Sequence, residues 1–177
     1  MQLKYTRKCI VLMQMISVLA LTAIDQLIKF AVLKHLVPVG KIVVLDGFLA
    51  WTYAENTGAA FSIFSGNTDF LSVFTAVALL IGTGFLIFSK KHHIIYDICV
   101  PLLIAGGLGN LIDRIARGFV IDYIQVLFIN FPVFNFADCL VTCSAIALMI
   151  YLVYDMIRET KQDRAKKKTE SAENADG

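Results

Sequence analysis

Long apolar runs separated by short polar clusters set the rhythm of this chain. Runs at about 10–32, 70–88, 94–112 and 136–156 each approach the roughly 20 residues a helix needs to cross the hydrocarbon core of a bilayer. The pattern predicts four transmembrane helices. The first run follows Lys4, Arg7 and Lys8 as a secretory signal would, but it continues past Leu21 to Ala31, carries Asp25 and Lys29, and meets no small-x-small cleavage site. It reads as an uncleaved helix. The third run contains Pro101 followed by Gly106, Gly107 and Gly109, which predicts a kinked or closely packed helix. Between the first two runs the period changes. Ile42-Val43-Val44-Leu45, then Asp46-Gly47, then an aromatic-rich stretch from Phe48 to Tyr53 is the signal of a β-hairpin.

Charge orients these elements. Lys4, Arg7 and Lys8, the link Lys90-Lys91-His92-His93, and the tail with Arg158 and Lys166-Lys167-Lys168 alternate correctly to share the cytoplasmic side. Both termini are then cytoplasmic, and the two other connections face outward. The expected fold is an all-α membrane protein, a four-transmembrane-helix bundle with a small extracytoplasmic β-sheet between helices 1 and 2. Trp51 and Tyr53 suit the interfacial belt of such a sheet. Residues 1–160 form the membrane domain, with a β-rich outer segment at about 41–64. Residues 161–177 form a charged tail without expected structure, because it has almost no large apolar side chain to bury. Composition agrees: 58% of the 177 residues are hydrophobic and 17% charged, against about 45–50% and about 25% for soluble domains. Cys9, Cys99, Cys139 and Cys143 form no CxxC pair and read as small packing residues.

Under this topology the polar residues of the spans converge at one level. Asp25 and Lys29 fall in the outer part of helix 1, Asn110, Asp113 and Arg114 at the outer end of helix 3, and Asn135 and Asp138 open helix 4. Asp122 lies in the outer connection. Carboxylates at membrane depth persist when paired, solvated or used. Asp25 and Lys29 are i,i+4 partners that can neutralise each other. Gly106, Asn110 and Arg114 share one helical stripe, on which glycine admits a neighbouring backbone and arginine can snorkel to headgroups. Asn135 can cap a helix whose third residue is Asp138. Asp122, inside Val120-Ile121-Asp122-Tyr123-Ile124, has no local reason to be there. Other chemistries fail. Gly107-Leu108-Gly109 lacks the rest of a nucleotide fingerprint, His92 and His93 sit on the wrong side for a metal set, and no outward serine or cysteine has a histidine base beyond the isolated His35. A carboxylate pair remains: two aspartates brought together share one proton, so one can activate water while the other polarises a carbonyl.

At these residues the chain resembles the lipoprotein signal peptidases (signal peptidase II). The family's motifs stand here as Asp25-Gln26-Leu27-Ile28-Lys29, Glu55-Asn56-Thr57-Gly58-Ala59-Ala60-Phe61, Gly106-Gly107-Leu108-Gly109-Asn110-Leu111-Ile112-Asp113-Arg114, Val120-Ile121-Asp122-Tyr123-Ile124 and Phe134-Asn135-Phe136-Ala137-Asp138. The resemblance implies an aspartic endopeptidase of the bacterial inner membrane, active at its extracytoplasmic face. It would remove prolipoprotein signal peptides on the N-terminal side of a diacylglyceryl-modified cysteine. The implied catalytic pair is Asp122 and Asp138. Asn56, Asn110, Arg114 and Asn135 would hold substrate or the pair, and Asp25, Lys29, Gly106 and Asp113 would support the structure. No metal, cofactor or nucleic acid is implied. The partners are lipidated precursors and membrane lipids, and the chain is expected to be a monomer. A proton-coupled transporter is the alternative, but it favours midplane acids and internal repeats, and neither is seen here. A membrane scaffold would leave Asp122 and the Asn/Arg set unexplained.

Overall fold

The computed structural model describes residues 7–58, 67–89 and 93–173. Lys4, the Lys90-Lys91-His92 part of the second link and the 59–64 end of the β-rich segment, with Ala59-Ala60-Phe61, lie outside them. Four helices carry the apolar runs: α1 (Arg7–Ala31), α2 (Thr68–Phe88), α3 (Ile94–Arg117) and α4 (Phe136–Glu173). All four are long and apolar enough to cross a membrane. Leu27, Val73, Leu80 and Ile150 are among many large apolar side chains on their outer faces that stay exposed. Water would penalise that surface, whereas acyl chains match it.

Helix α3 packs against each of the other three. Its small residues allow the approach: a Cβ on Gly106 would strike the Ala137 carbonyl and the Val141 side chain, so α3 and α4 come this close only over glycine. The helix continues past residue 112 and ends at Gly118, whose φ of +81° lets its N–H return to the Arg114 carbonyl at 2.9 Å. Asp113 and Arg114 therefore sit inside the helix, with Arg117 in its last turn. Helix α4 runs 38 residues, about 57 Å at 1.5 Å per residue, well beyond a bilayer core of about 30 Å. It continues past Thr160 into the charged segment, where Lys, Gln, Arg and Ala are good helix formers. Arg7 donates to the Ile87 carbonyl at 2.5 Å and His93 stacks on Tyr151 at 4.3 Å, which gathers the start of α1, the end of α2, the start of α3 and the middle of α4 at one end.

The opposite end carries a three-stranded antiparallel sheet, ordered β1-β2-β3. Strands β1 (Lys41–Leu45) and β2 (Leu49–Asn56) form the hairpin that Asp46-Gly47 predicts, with Gly47 at φ +68°. Strand β3 (Val120–Val126) comes from the α3–α4 connection and pairs with β2. The sheet therefore extends beyond the segment between helices 1 and 2, where the sequence pattern places it, because the outer α3–α4 connection supplies its third strand. Strand β3 is covered on both faces over its first four residues. Ile121 and Tyr123 pack against Val32 and Leu36 of a π-helical turn (Val32–Leu36) that continues α1. The Phe134 backbone closes part of its outer edge at Ile124.

Candidate active site

Strand β3 delivers Asp122 to the junction of sheet and helices, where it is only 2% exposed. In the register with β2, Asp122 lies opposite Ala54, and Asn56 is its diagonal neighbour on the same face. Asn56 Nδ2 donates to Asp122 Oδ2 at 2.9 Å, while Asn56 Oδ1 accepts from the Gly58 N–H at 2.9 Å. Both ends of that amide are occupied within the chain.

Asp138 reaches the junction from α4. Asn135 caps this helix: its Oδ1 accepts from the Asp138 N–H at 2.9 Å, and Asp138 Oδ2 accepts from the Asn135 N–H at 3.1 Å, a reciprocal capping box. The capping reading and the chemical reading thus describe the same residues. The Nδ2 of Asn135 is left free to point across, and it donates to Asp122 Oδ1 at 2.6 Å and to Asn110 Oδ1 at 3.1 Å. Asn110 Nδ2 donates to Asp138 Oδ1 at 2.8 Å. Asn135 therefore touches both carboxylates, with Asn56 on one and Asn110 on the other.

A second layer lies behind the amides. Lys29 Nζ donates to Asn110 Oδ1 at 3.0 Å and pairs at 2.9 Å with both Asp25 and Asp113, all three charged side chains being fully buried. Asp113 also pairs with Arg117 at 2.8 Å. Gln26 reaches Asp25 at 3.2 Å, the Gly109 carbonyl at 3.0 Å and Asp113 at 3.4 Å. Gln26 and Arg117 join the site without being marked by the sequence pattern. Arg117 was readable as i,i+4 to Asp113, but Gln26 carried no signal beyond its neighbour. Gly106 stands at the α3–α4 crossing and contributes space. Arg114 donates from Nη2 to the Gly58 carbonyl at 3.0 Å, and among the described residues its buried Nε has no partner.

Burial first, and then the charge of Asp138, push the Asp122 carboxyl up to about 7, against the opposing hydrogen bonds from Asn56 and Asn135. A group so placed holds a proton near neutrality and can exchange it. A half-enclosed cavity of about 340 Å³ opens beside Asp138. Asn110, Arg114 and Asp138 give it polar groups, and Phe74, Leu79 and Val100 contribute to an otherwise largely apolar lining. Among the described residues no three His, Cys, Asp or Glu side chains gather as a metal site.

Residues 17–154 match the Peptidase_A8 family, Signal peptidase (SPase) II. The chain is 38% identical over 141 residues to the lipoprotein signal peptidase of Lactiplantibacillus plantarum, covering 80% of this chain and 94% of that one. To the lipoprotein signal peptidase of Enterococcus faecalis it is 35% identical over 135 residues, 76% and 84% of the two chains. It is also similar to a bacterial membrane enzyme solved by the in meso method at 2.3 Å resolution, with TM-score 0.74 and 31% identity over 81% of this chain and 89% of that chain.

Proposed function

The chain belongs to the signal peptidase II family and removes signal peptides from prolipoproteins, and from that premise we propose that Asp122 and Asp138 are the catalytic pair of an aspartic endopeptidase. One observation carries this reading. Asn135 is bonded to both carboxylates, by its side chain to Asp122 and through the capping box to Asp138, so two acids share one polar frame.

Two close carboxylates hold one proton between them. The ionised group takes a proton from water as the water oxygen attacks the scissile carbonyl carbon. The protonated group hydrogen-bonds the carbonyl oxygen. When the tetrahedral intermediate collapses, the C–N bond breaks and a proton passes to the departing amine. Asn56, Asn110 and Asn135 hold the acids in place, and the Arg114 Nε–H, without a partner among the described residues, is available to substrate. Cleavage falls on the N-terminal side of a diacylglyceryl-modified cysteine. The apolar cavity that reaches Asp138 supports a substrate arriving from the lipid.

The chain is a multi-pass membrane protein. In this reading the site faces the extracytoplasmic surface of the bacterial inner membrane, with the sheet resting there and both termini in the cytoplasm. The Lys/Arg bias supports that orientation, since Arg7, Lys8 and Arg158 belong to the bundle end away from the sheet. Residues 1–160 carry the activity and 161–177 lie outside it. Both aspartates come from one chain, so a monomer is complete. Purified protein is expected to cleave a diacylglyceryl-modified prolipoprotein in detergent equally well before and after dialysis against a strong chelator. Asp122→Asn and Asp138→Asn are each expected to lower turnover by roughly a thousandfold or more while inserting normally. Near-normal turnover in either variant removes that residue from the pair, and loss restored by zinc moves the chemistry to a metal.

A further inference from the structure

The two proposed acids ride on separate elements, β3 and α4, and neither element sets the gap between them. Behind each acid, however, a buried carboxylate grips the backbone one residue upstream. Asp113 Oδ2 accepts from the N–H of Ile121, which precedes Asp122, at 3.1 Å. Asp25 Oδ1 accepts from the N–H of Ala137, which precedes Asp138, at 3.2 Å. Lys29 joins the two grips, 2.9 Å from each carboxylate, and its further bond to Asn110 Oδ1 turns the Asn110 amide so that Nδ2 meets Asp138. Space for this is specific: a Cβ on Gly109 would lie 2.5 Å from Asp25 Oδ2.

We propose that Asp25, Lys29 and Asp113 form a clamp that sets the separation of Asp122 and Asp138, with Lys29 acting through Asn110 as a positioning residue. The inference rests on the aspartic-pair reading above. Burying three charges is costly, and apolar residues of similar volume often hold a core as well. Geometry supplies the missing reason, because misplacing reacting groups by about 1 Å costs roughly a hundredfold in rate. The Ala137 N–H is also one of the donors that a helix start leaves unsatisfied, so a carboxylate there is favoured by both hydrogen bonding and the helix dipole.

The two carboxylates differ in a way that gives the test. Asp25 uses one oxygen on Ala137 and the other on Lys29 and Gln26, so an amide at 25 must face a donor with its own NH₂. Asp113 serves Ile121 and Lys29 with one oxygen, and Arg117 and more distantly Gln26 with the other. An amide there keeps the first set; its NH₂ faces Arg117, which is 28% exposed and can swing out, and the Gln26 amide only across a long 3.4 Å contact. Asp25→Asn, Asp113→Asn, Asp113→Ala and Asp122→Asn would be purified as full chains, and kcat, KM and Tm measured separately on diacylglyceryl-modified prolipoprotein. Asp25→Asn and Asp113→Ala are expected to lose roughly a hundredfold in kcat with KM within about threefold, while Asp113→Asn stays within about tenfold of the parent. Wild-type kcat in the folded fraction of Asp25→Asn and Asp113→Ala, with only Tm lowered, overturns the clamp. If Asp113→Ala does not accumulate, Asp25→Asn decides against Asp113→Asn, and equal kcat in both overturns it. An active Asp122→Asn instead overturns the pair itself, and the clamp with it.

Discussion

Four aspartates near one end of the bundle are sorted by what holds them. Asp25 and Asp113 are bound by the cations Lys29 and Arg117, while Asp122 and Asp138 are held by the amides of Asn56, Asn110 and Asn135. An ammonium 2.9 Å away ties a carboxylate into an ion pair, whereas an amide shares only a hydrogen bond with it. Asp122 shows the consequence, raised to about 7 by burial and then by the charge of Asp138. A raised carboxyl keeps its proton below that value, so the proposed pair would retain a shared proton up to about pH 7 and lose it above. Cleavage is expected to fall about tenfold per pH unit beyond that point. The profile of kcat/KM against pH checks this, and a rate that still climbs between pH 7 and 9 contradicts it. The same group weakens the fold as pH rises from the ordinary 3.8 to about 7, since the folded chain holds a proton that the unfolded chain has released.

At the level of elements, the site is a meeting of α3, α4 and β3, and its tightest point is Gly106 against the Ala137 carbonyl. Gly106→Ala pushes on backbone that cannot yield without moving Asp138, whereas Gly107→Ala meets side chains alone, Leu79 at 3.0 Å and Thr75 at 3.8 Å. Gly106→Ala is expected to cost about 1–3 kcal/mol of stability and most of the turnover, with Gly107→Ala close to the parent. Thermal unfolding and turnover measured side by side test the contrast, and equal behaviour contradicts it. The same elements show where sequence reading stops. The four helices were legible because a bilayer sets their length, and the hairpin because Asp46-Gly47 needs a left-handed turn. Strand β3 was not, since its partner β2 lies far upstream and non-local pairing leaves no periodicity. The polar frame was half legible: the Asn135–Asp138 spacing announces a cap, but nothing local shows that Asn135 Nδ2 crosses to Asp122. Lys29 is likewise an evident partner of Asp25, while its second bond to Asp113 comes only from the packing of α1 on α3.

For the whole molecule, the arrangement of apolar surface selects what can reach the acids. The helices are coated outside with exposed Leu, Ile, Val and Phe, so lipid surrounds the bundle. The cavity of about 340 Å³ is lined by Asp138 and Arg114 together with apolar walls. A substrate held in the bilayer by acyl chains presents its scissile bond at fixed depth, which removes much of the entropic cost of positioning. Each buried methylene adds about 0.8 kcal/mol of anchoring, so two chains hold a cysteine far more firmly than a bare side chain does. Recognition by depth also leaves few polar contacts to read sequence: both ends of the Asn56 amide are occupied, and Arg114 offers its Nε. An otherwise identical precursor without the diacylglyceryl group is therefore expected to be cut at least about a hundredfold more slowly, with the loss mainly in kcat/KM. Rates for modified and unmodified precursor in the same detergent measure this directly. Equal rates would mean that the acids are reached by a route in which the lipid plays no part.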